Sequence, residues 1–123
     1  MQQTQRQHPY DDEFMYLREQ MSRYADVLVL VEGKKDVASL SLLGFTNLCT
    51  VQGKKRYAVI EGITAHDVCI LTDFDREGEL LHKELNHLLS QRGVRVHTCL
   101  REAFRRTNVS TVEGLWTFLK DKI

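Results

Sequence analysis

Proline is almost missing from this chain. Pro9 is the single one in 123 residues, so beyond it no ring breaks a helix or removes a donor from a strand. Glycine is sparse too, at seven residues, which excludes collagen-like and flexible-linker architectures. The three cysteines, Cys49, Cys69 and Cys99, are odd in number, widely spaced and each set in an apolar or strand-like stretch. That pattern argues against a disulfide-stapled scaffold or a zinc site and predicts three reduced core thiols. No apolar run approaches the roughly 18 residues of a membrane-crossing helix, and no signal-peptide pattern opens the chain. A cytoplasmic protein with no membrane partner is expected. Charge of one sign is also lacking: 17 Lys and Arg balance 17 Asp and Glu. A charged partner must therefore be met by a local patch rather than by the net charge.

What the chain does have is apolar residues, 42% of the total, enough for one domain with a genuine core and no room for a second catalytic domain. Two of its apolar runs end in acids. Val27-Leu28-Val29-Leu30-Val31 leads into Glu32-Gly33-Lys34-Lys35-Asp36, and Val68-Cys69-Ile70-Leu71 leads into Thr72-Asp73-Phe74-Asp75-Arg76-Glu77-Gly78-Glu79. Both read as buried strands. Residues at i, i+2 and i+4 past a strand end can converge, and carboxylates so clustered repel one another unless a cation neutralises them. Oxygen-only ligands select a hard ion, Mg2+ or Mn2+.

The remaining pattern alternates. A helix over 9–24 carries Tyr10, Phe14, Leu17, Met21 and Tyr24 at helical spacing, a stripe that packs on its own chain or forms the seam of a homodimer. Then come strand 27–31, helix 35–43 closed by Gly44, strand 47–51, a helix near 55–62, strand 67–72, helix 76–91, strand 94–98 and a last helix over 111–120. Leu80, Leu81, Leu85, Leu88 and Leu89 form the predicted buried stripe of helix 76–91, and Leu115, Trp116 and Leu119 that of the last. Residues 1–8 are too polar to order. Strands and helices in this order predict an α/β fold, a parallel sheet covered on both faces.

The paired motifs, Glu32-Gly33 and Asp73 to Glu79, lie about 40 residues apart, each at a strand end. Together they resemble the Toprim domain of type IA topoisomerases, bacterial primases and small RNA-maturation nucleases. Phe74 stands where the topoisomerase motif commonly has proline. The resemblance covers 27–123, leaving 1–26 as an N-terminal tail and helix, and implies a Toprim-like (Rossmann-like) sheet. It also implies metal ligation by Asp73, Asp75 and Glu77, and an acid–base or metal-linked role for Glu32. Glu77 reads equally as a first-turn helix acid, and Glu79 as an i,i+4 partner of Lys83. Gly33 and Gly78 would let backbone or substrate approach closely.

Residues 27–123 hold 14 Lys and Arg against 12 Asp and Glu, so once a metal neutralises the four acids of the motifs, the working surface is basic. Lys34, Lys35, Lys54, Lys55, Arg56 and Arg76 are candidate phosphate contacts, with Arg101, Arg105 and Arg106 further along. No tyrosine sits in a topoisomerase-like motif, and the histidines show no metal spacing. The implied function is Mg2+-dependent phosphodiester chemistry on RNA or DNA, in the manner of a small nuclease. The alternatives are a metal-dependent nucleic-acid-binding module that does not turn over, and a small-molecule phosphatase-like domain.

Overall fold

The computed structural model describes residues 9–123, with side chains from Glu13 onward. The expectation for residues 1–8 and the Tyr10 side chain lie outside the described residues. Element order is α1 (Pro9–Arg23), β1 (Leu28–Val31), α2 (Lys34–Leu42), β2 (Leu48–Thr50), α3 (Arg56–Glu61), β3 (Asp67–Ile70), α4 (Arg76–Gln91), β4 (Arg95–His97), α5 (Cys99–Arg105) and α6 (Leu115–Leu119). The four strands form one sheet in the order β2-β1-β3-β4, every pair parallel. This is the parallel α/β architecture that the alternation predicted.

Because side chains alternate across a strand, each inner strand feeds two cores. Val29, Val31, Cys69 and Leu71 face one layer with Phe14, Leu17 and Met21 of α1, Tyr24 just past it, Leu40 of α2, Leu100 and Phe104 of α5, and Leu115 and Leu119 of α6. Leu30, Val68 and Ile70 face the other, against Val59 and Ile60 of α3 and Leu85 and Leu89 of α4. Each fully buried side chain of this size contributes roughly 1.5–3 kcal/mol. The stripe of α1 is buried within its own chain, so it is not available as the seam of a homodimer.

Several expectations need correction. Leu80 is 57% exposed, because it shares a helix face with Glu84 while Leu81, Leu85, Leu88 and Leu89 turn toward the sheet. The last helix begins at Leu115 rather than at 111, since Thr111 caps a turn with its hydroxyl accepting from the Gly114 N–H. Helix α5 is an addition to the expected elements: at seven residues it is too short to show a repeating stripe, and it starts directly after β4. Gly44, at φ +102°, closes α2 in the left-handed region that favours glycine. The cysteines are all free, yet only Cys69 is buried; Cys49 is half-buried and Cys99, opening α5, is exposed. Burial, with the nearby Cys99 thiol second, pushes the Cys69 thiol up to about 12.

Thiolate is the reactive form. At about pH 8 iodoacetamide will therefore label Cys99 in the native chain and spare Cys69, whereas all three will react in denaturant. Peptide mass spectrometry reads the result, and equal native labelling of Cys69 and Cys99 would contradict the packing.

Candidate functional site

The chain winds outward from β1 to β2, then crosses back to β3, so β1 and β3 flank the point where winding reverses. In open parallel sheets ligands bind beyond the carboxyl ends of the strands at that point. Glu32 directly follows β1 and Asp73 lies just past β3. They meet there: the Asp73 backbone N–H donates to Glu32 Oε1 at 3.2 Å.

A cavity of about 630 Å³ opens beside them, bordered by Glu32, Lys34, Lys35, Asp36, Arg56 and Asp73, with Thr50, Val51, Gln52 and Leu81 on its other walls. Asp36 was not singled out from the sequence, although it ends the first acidic motif. It is buried and its Oδ2 accepts from the Gly33 N–H at 3.1 Å, the arrangement by which an acid at the third position of a helix reaches back to the cap. An acid three residues into the helix after Gly33 is the signal that could have found it. Burial, and then the charges of Asp73 and Glu32, raise the Asp36 carboxyl above its ordinary range despite the Gly33 hydrogen bond.

The turn carrying Asp73 is held from three directions. Within it, the buried Thr72 hydroxyl donates to the Gly78 carbonyl at 2.6 Å, and a Cβ at Gly78 would collide with the Asp73 carbonyl. From α5, Arg101, only 3% exposed, donates to the Thr72 carbonyl at 2.7 Å and to the Asp73 carbonyl at 2.9 Å. Its guanidinium also lies 4.8 Å from the Phe74 ring centroid, close enough for a cation–π contact. From the segment before α6, the Val112 N–H donates to Asp73 Oδ1 at 2.9 Å and the Ser110 carbonyl accepts from the Phe74 N–H at 2.8 Å.

Glu79 does not pair with Lys83. It turns to α5, where Arg101 reaches it at 3.0 Å and Arg105 joins it, because a buried guanidinium and a half-buried one outcompete an exposed i,i+4 lysine. Burial pushes the Glu79 carboxyl up, but the hydrogen bonds and charges of Arg105 and Arg101 together hold it below the ordinary range. Arg101 and Arg105 thus serve the scaffold rather than a phosphate, and Arg106 lies 5.0 Å over the Tyr16 ring.

The other sequence-picked residues lie around this centre. Asp75 caps α4, its Oδ1 accepting from the Gly78 N–H at 2.8 Å, while Arg76 and Glu77 are exposed on the first turn of α4. None of the three borders the cavity. Lys34 and Lys35 open α2 at the rim, and Lys35 stands 3.9 Å from Glu113 in an exposed pair worth little. Lys54 donates to the Thr50 carbonyl at 3.2 Å, Lys55 lies 6.0 Å from the Tyr57 ring centroid, and Arg56 pairs with Glu84 at 3.6 Å.

Among the described residues no three His, Cys, Asp or Glu side chains converge closely enough to hold a metal by themselves. The donor chemistry fits a divalent cation nonetheless. Three carboxylates share the cavity, their repulsion shows in Asp36, and Glu32 and Asp73 each engage one oxygen with a backbone N–H and keep the other for a ligand. Mg2+ commonly binds through one or two carboxylates, waters and substrate phosphate rather than a complete protein cage.

A parallel α/β domain with its acids at the switch point defines the class, and residues 27–100 match the Toprim domain family. The chain belongs to that family, which ties it to divalent metal and nucleic acid. Within it, the chain is similar to UPF0292 proteins. It is 32% identical over 102 residues to one from Methanocaldococcus jannaschii, covering 77% of this chain and 80% of that one. Against one from Thermococcus sibiricus it is 35% identical over 92 residues, covering 72% and 71%. It is also 39% identical over 62 residues to the DNA primase DnaG of Methanopyrus kandleri, a match spanning 50% of this chain and 15% of the primase. Among solved structures, a putative protein from Aquifex aeolicus superposes with a TM-score of 0.71 at 27% identity, over 80% of this chain and 94% of that one.

Arg101→Met should cost about 2 kcal/mol or more in chemical denaturation, because it strands the buried Thr72 carbonyl and the half-buried Asp73 carbonyl and leaves Glu79 with Arg105 alone. A loss under about 0.5 kcal/mol would deny Arg101 its clamping role.

Asp36→Asn should raise the melting temperature of the metal-free chain at neutral pH, since Asn keeps the hydrogen bond from Gly33 and loses the buried charge. A carboxyl raised on folding costs stability above its folded pKa and costs none below its unfolded value. The gain over the parent chain should therefore vanish as pH falls below about 4. A gain that persists there would point to another cause.

Proposed function

We propose that this chain is a Mg2+-dependent nuclease, with Mn2+ as a substitute ion, that cuts phosphodiester bonds in RNA or DNA. One observation carries the reading: Glu32 and Asp73 meet at the ends of adjacent strands, beside a cavity rimmed by Lys34, Lys35 and Arg56. Acids that hold a cation and bases that hold a phosphate thus share one opening. The likeness to a DNA primase supports nucleic acid as the substrate class.

Lys34, Lys35 and Arg56 neutralise the phosphate at the cavity mouth, with Lys54, Lys55 and Arg76 extending the positive surface along the strand. Asp73 and Asp36 would hold the cation, and Asp75 and Glu77, on the neighbouring turn outside the cavity wall, would accept hydrogen bonds from its bound waters. When bound, the cation supplies charge stabilisation at the phosphoryl oxygens. Glu32, with one oxygen fixed by the Asp73 N–H, uses the other to move a proton at the reacting oxygen. Val51 and Leu81 give the cavity an apolar stretch of wall.

The test is incubation of the chain with labelled single- and double-stranded RNA and DNA in Mg2+ or Mn2+, with end-group analysis of the products. Glu32→Gln should fold, bind nucleic acid and lose roughly 100-fold or more in single-turnover cleavage. Asp73→Asn keeps an oxygen for the Val112 N–H and should abolish most of the Mg2+-induced rise in melting temperature, a rise worth about 2.7 kcal/mol at a hundredfold excess over Kd. Binding without cleavage under any ion would assign the chain as a binding module instead. Hydrolysis confined to small phosphate esters would make it phosphatase-like.

A further inference from the structure

We infer that the substrate is unpaired, single-stranded nucleic acid and that Tyr57 is the platform on which one of its bases stacks. This rests on the nuclease reading and specifies which nucleic acid the site takes.

Tyr57 is 59% exposed, an unusual place for a large ring that could have packed against the sheet beside its neighbours Val59 and Ile60. It lies in the first turn of α3, which starts at the carboxyl edge of the sheet, the edge that carries Glu32 and Asp73. Lys54, Lys55 and Arg56 immediately precede it and all three are exposed. Arg56 borders the cavity that holds the carboxylates, and the Lys55 ammonium lies 6.0 Å from the Tyr57 ring centroid. An exposed ring beside three exposed cations is the combination that grips single strands: cations follow the phosphates and the ring takes a base. Among the described residues the other large exposed aromatic ring, Tyr16, is less open at 37% and carries the Arg106 guanidinium closer, at 5.0 Å.

The cavity wall points the same way. Beside the acids stand Val51 and Leu81, which are apolar, and Thr50 and Gln52, which are neutral hydrogen-bonding groups. Phosphates alone need none of these, whereas a base needs an apolar surface for its face and neutral donors and acceptors for its edge. In a duplex the bases are stacked on one another and offer Tyr57 no face along the helix, so the platform discriminates between the two forms.

The experiment is an anisotropy titration in Mg2+ on the Glu32→Gln chain, so that the bound strand stays intact. The probes are short labelled single strands of RNA and DNA and their blunt duplexes, each across a range of salt. Single strands should bind more tightly than duplexes. Tyr57→Ala should weaken single-strand binding about tenfold or more, change duplex binding less than about twofold, and leave the melting temperature unmoved. Tyr57→Phe should bind as the parent does, because the ring and not the hydroxyl stacks. Unchanged single-strand affinity in Tyr57→Ala, equal losses on both forms, or a preference for duplex would overturn the inference while salt-dependent binding leaves the nuclease reading standing. No binding to any of the four probes would overturn both.

Discussion

The site depends on one buried side chain. Arg101 reaches from α5 under the end of β3 and holds the carbonyls of Thr72 and Asp73 while it binds Glu79 on the first turn of α4. A loop leaving a strand has unpaired carbonyls, and buried ones demand partners. A guanidinium supplies several donors in a rigid fork and carries a charge that Glu79 balances. One residue thus ties β3, α4 and α5 together at the point where Asp73 must be aimed. The Phe74 ring, 4.8 Å from the guanidinium, adds a cation–π contact on its face.

That arrangement separates two kinds of charge that the sequence interleaves. Arg101 and Arg105 are drawn inward by Glu79 and spend their charge on the scaffold. Glu32, Asp36 and Asp73 are left facing a cavity whose basic residues, Lys34, Lys35 and Arg56, are all exposed on its border. A chain with no net charge therefore presents an acidic centre with a basic rim. The first suits a divalent cation and the second the phosphates such a cation would act on.

The Toprim match ends at residue 100, yet the residues that follow complete the site. Arg101 clamps the Asp73 turn, the Ser110 carbonyl accepts from the Phe74 N–H, the Val112 N–H donates to Asp73, and the Trp116 N–H donates to Ser39 on α2. The C-terminal segment packs against α2 and supplies hydrogen bonds that water would otherwise make with the turn. Asp73 keeps one fixed oxygen as a result, which limits the directions in which the other can point.

Much of this was legible in the sequence because the relevant signals are local. Continuous apolar runs marked the inner strands, alternation with helical stripes marked the parallel sheet, and acids at two strand ends marked where a site would lie, since a parallel sheet delivers its strand ends to one edge. Asp36 was half-legible, as a helix acid whose local reach to Gly33 carries no hint of its neighbours across the sheet. The sequence by itself thus determined the fold class and the edge that carries Glu32 and Asp73. Only the tertiary structure decided that Arg101 turns inward, that Glu79 pairs with α5 rather than Lys83, and that Asp75, Arg76 and Glu77 stand outside the cavity. Those choices join residues 22 and more positions apart, where spacing along the chain holds no information and burial, hydrogen-bond satisfaction and charge balance select among partners.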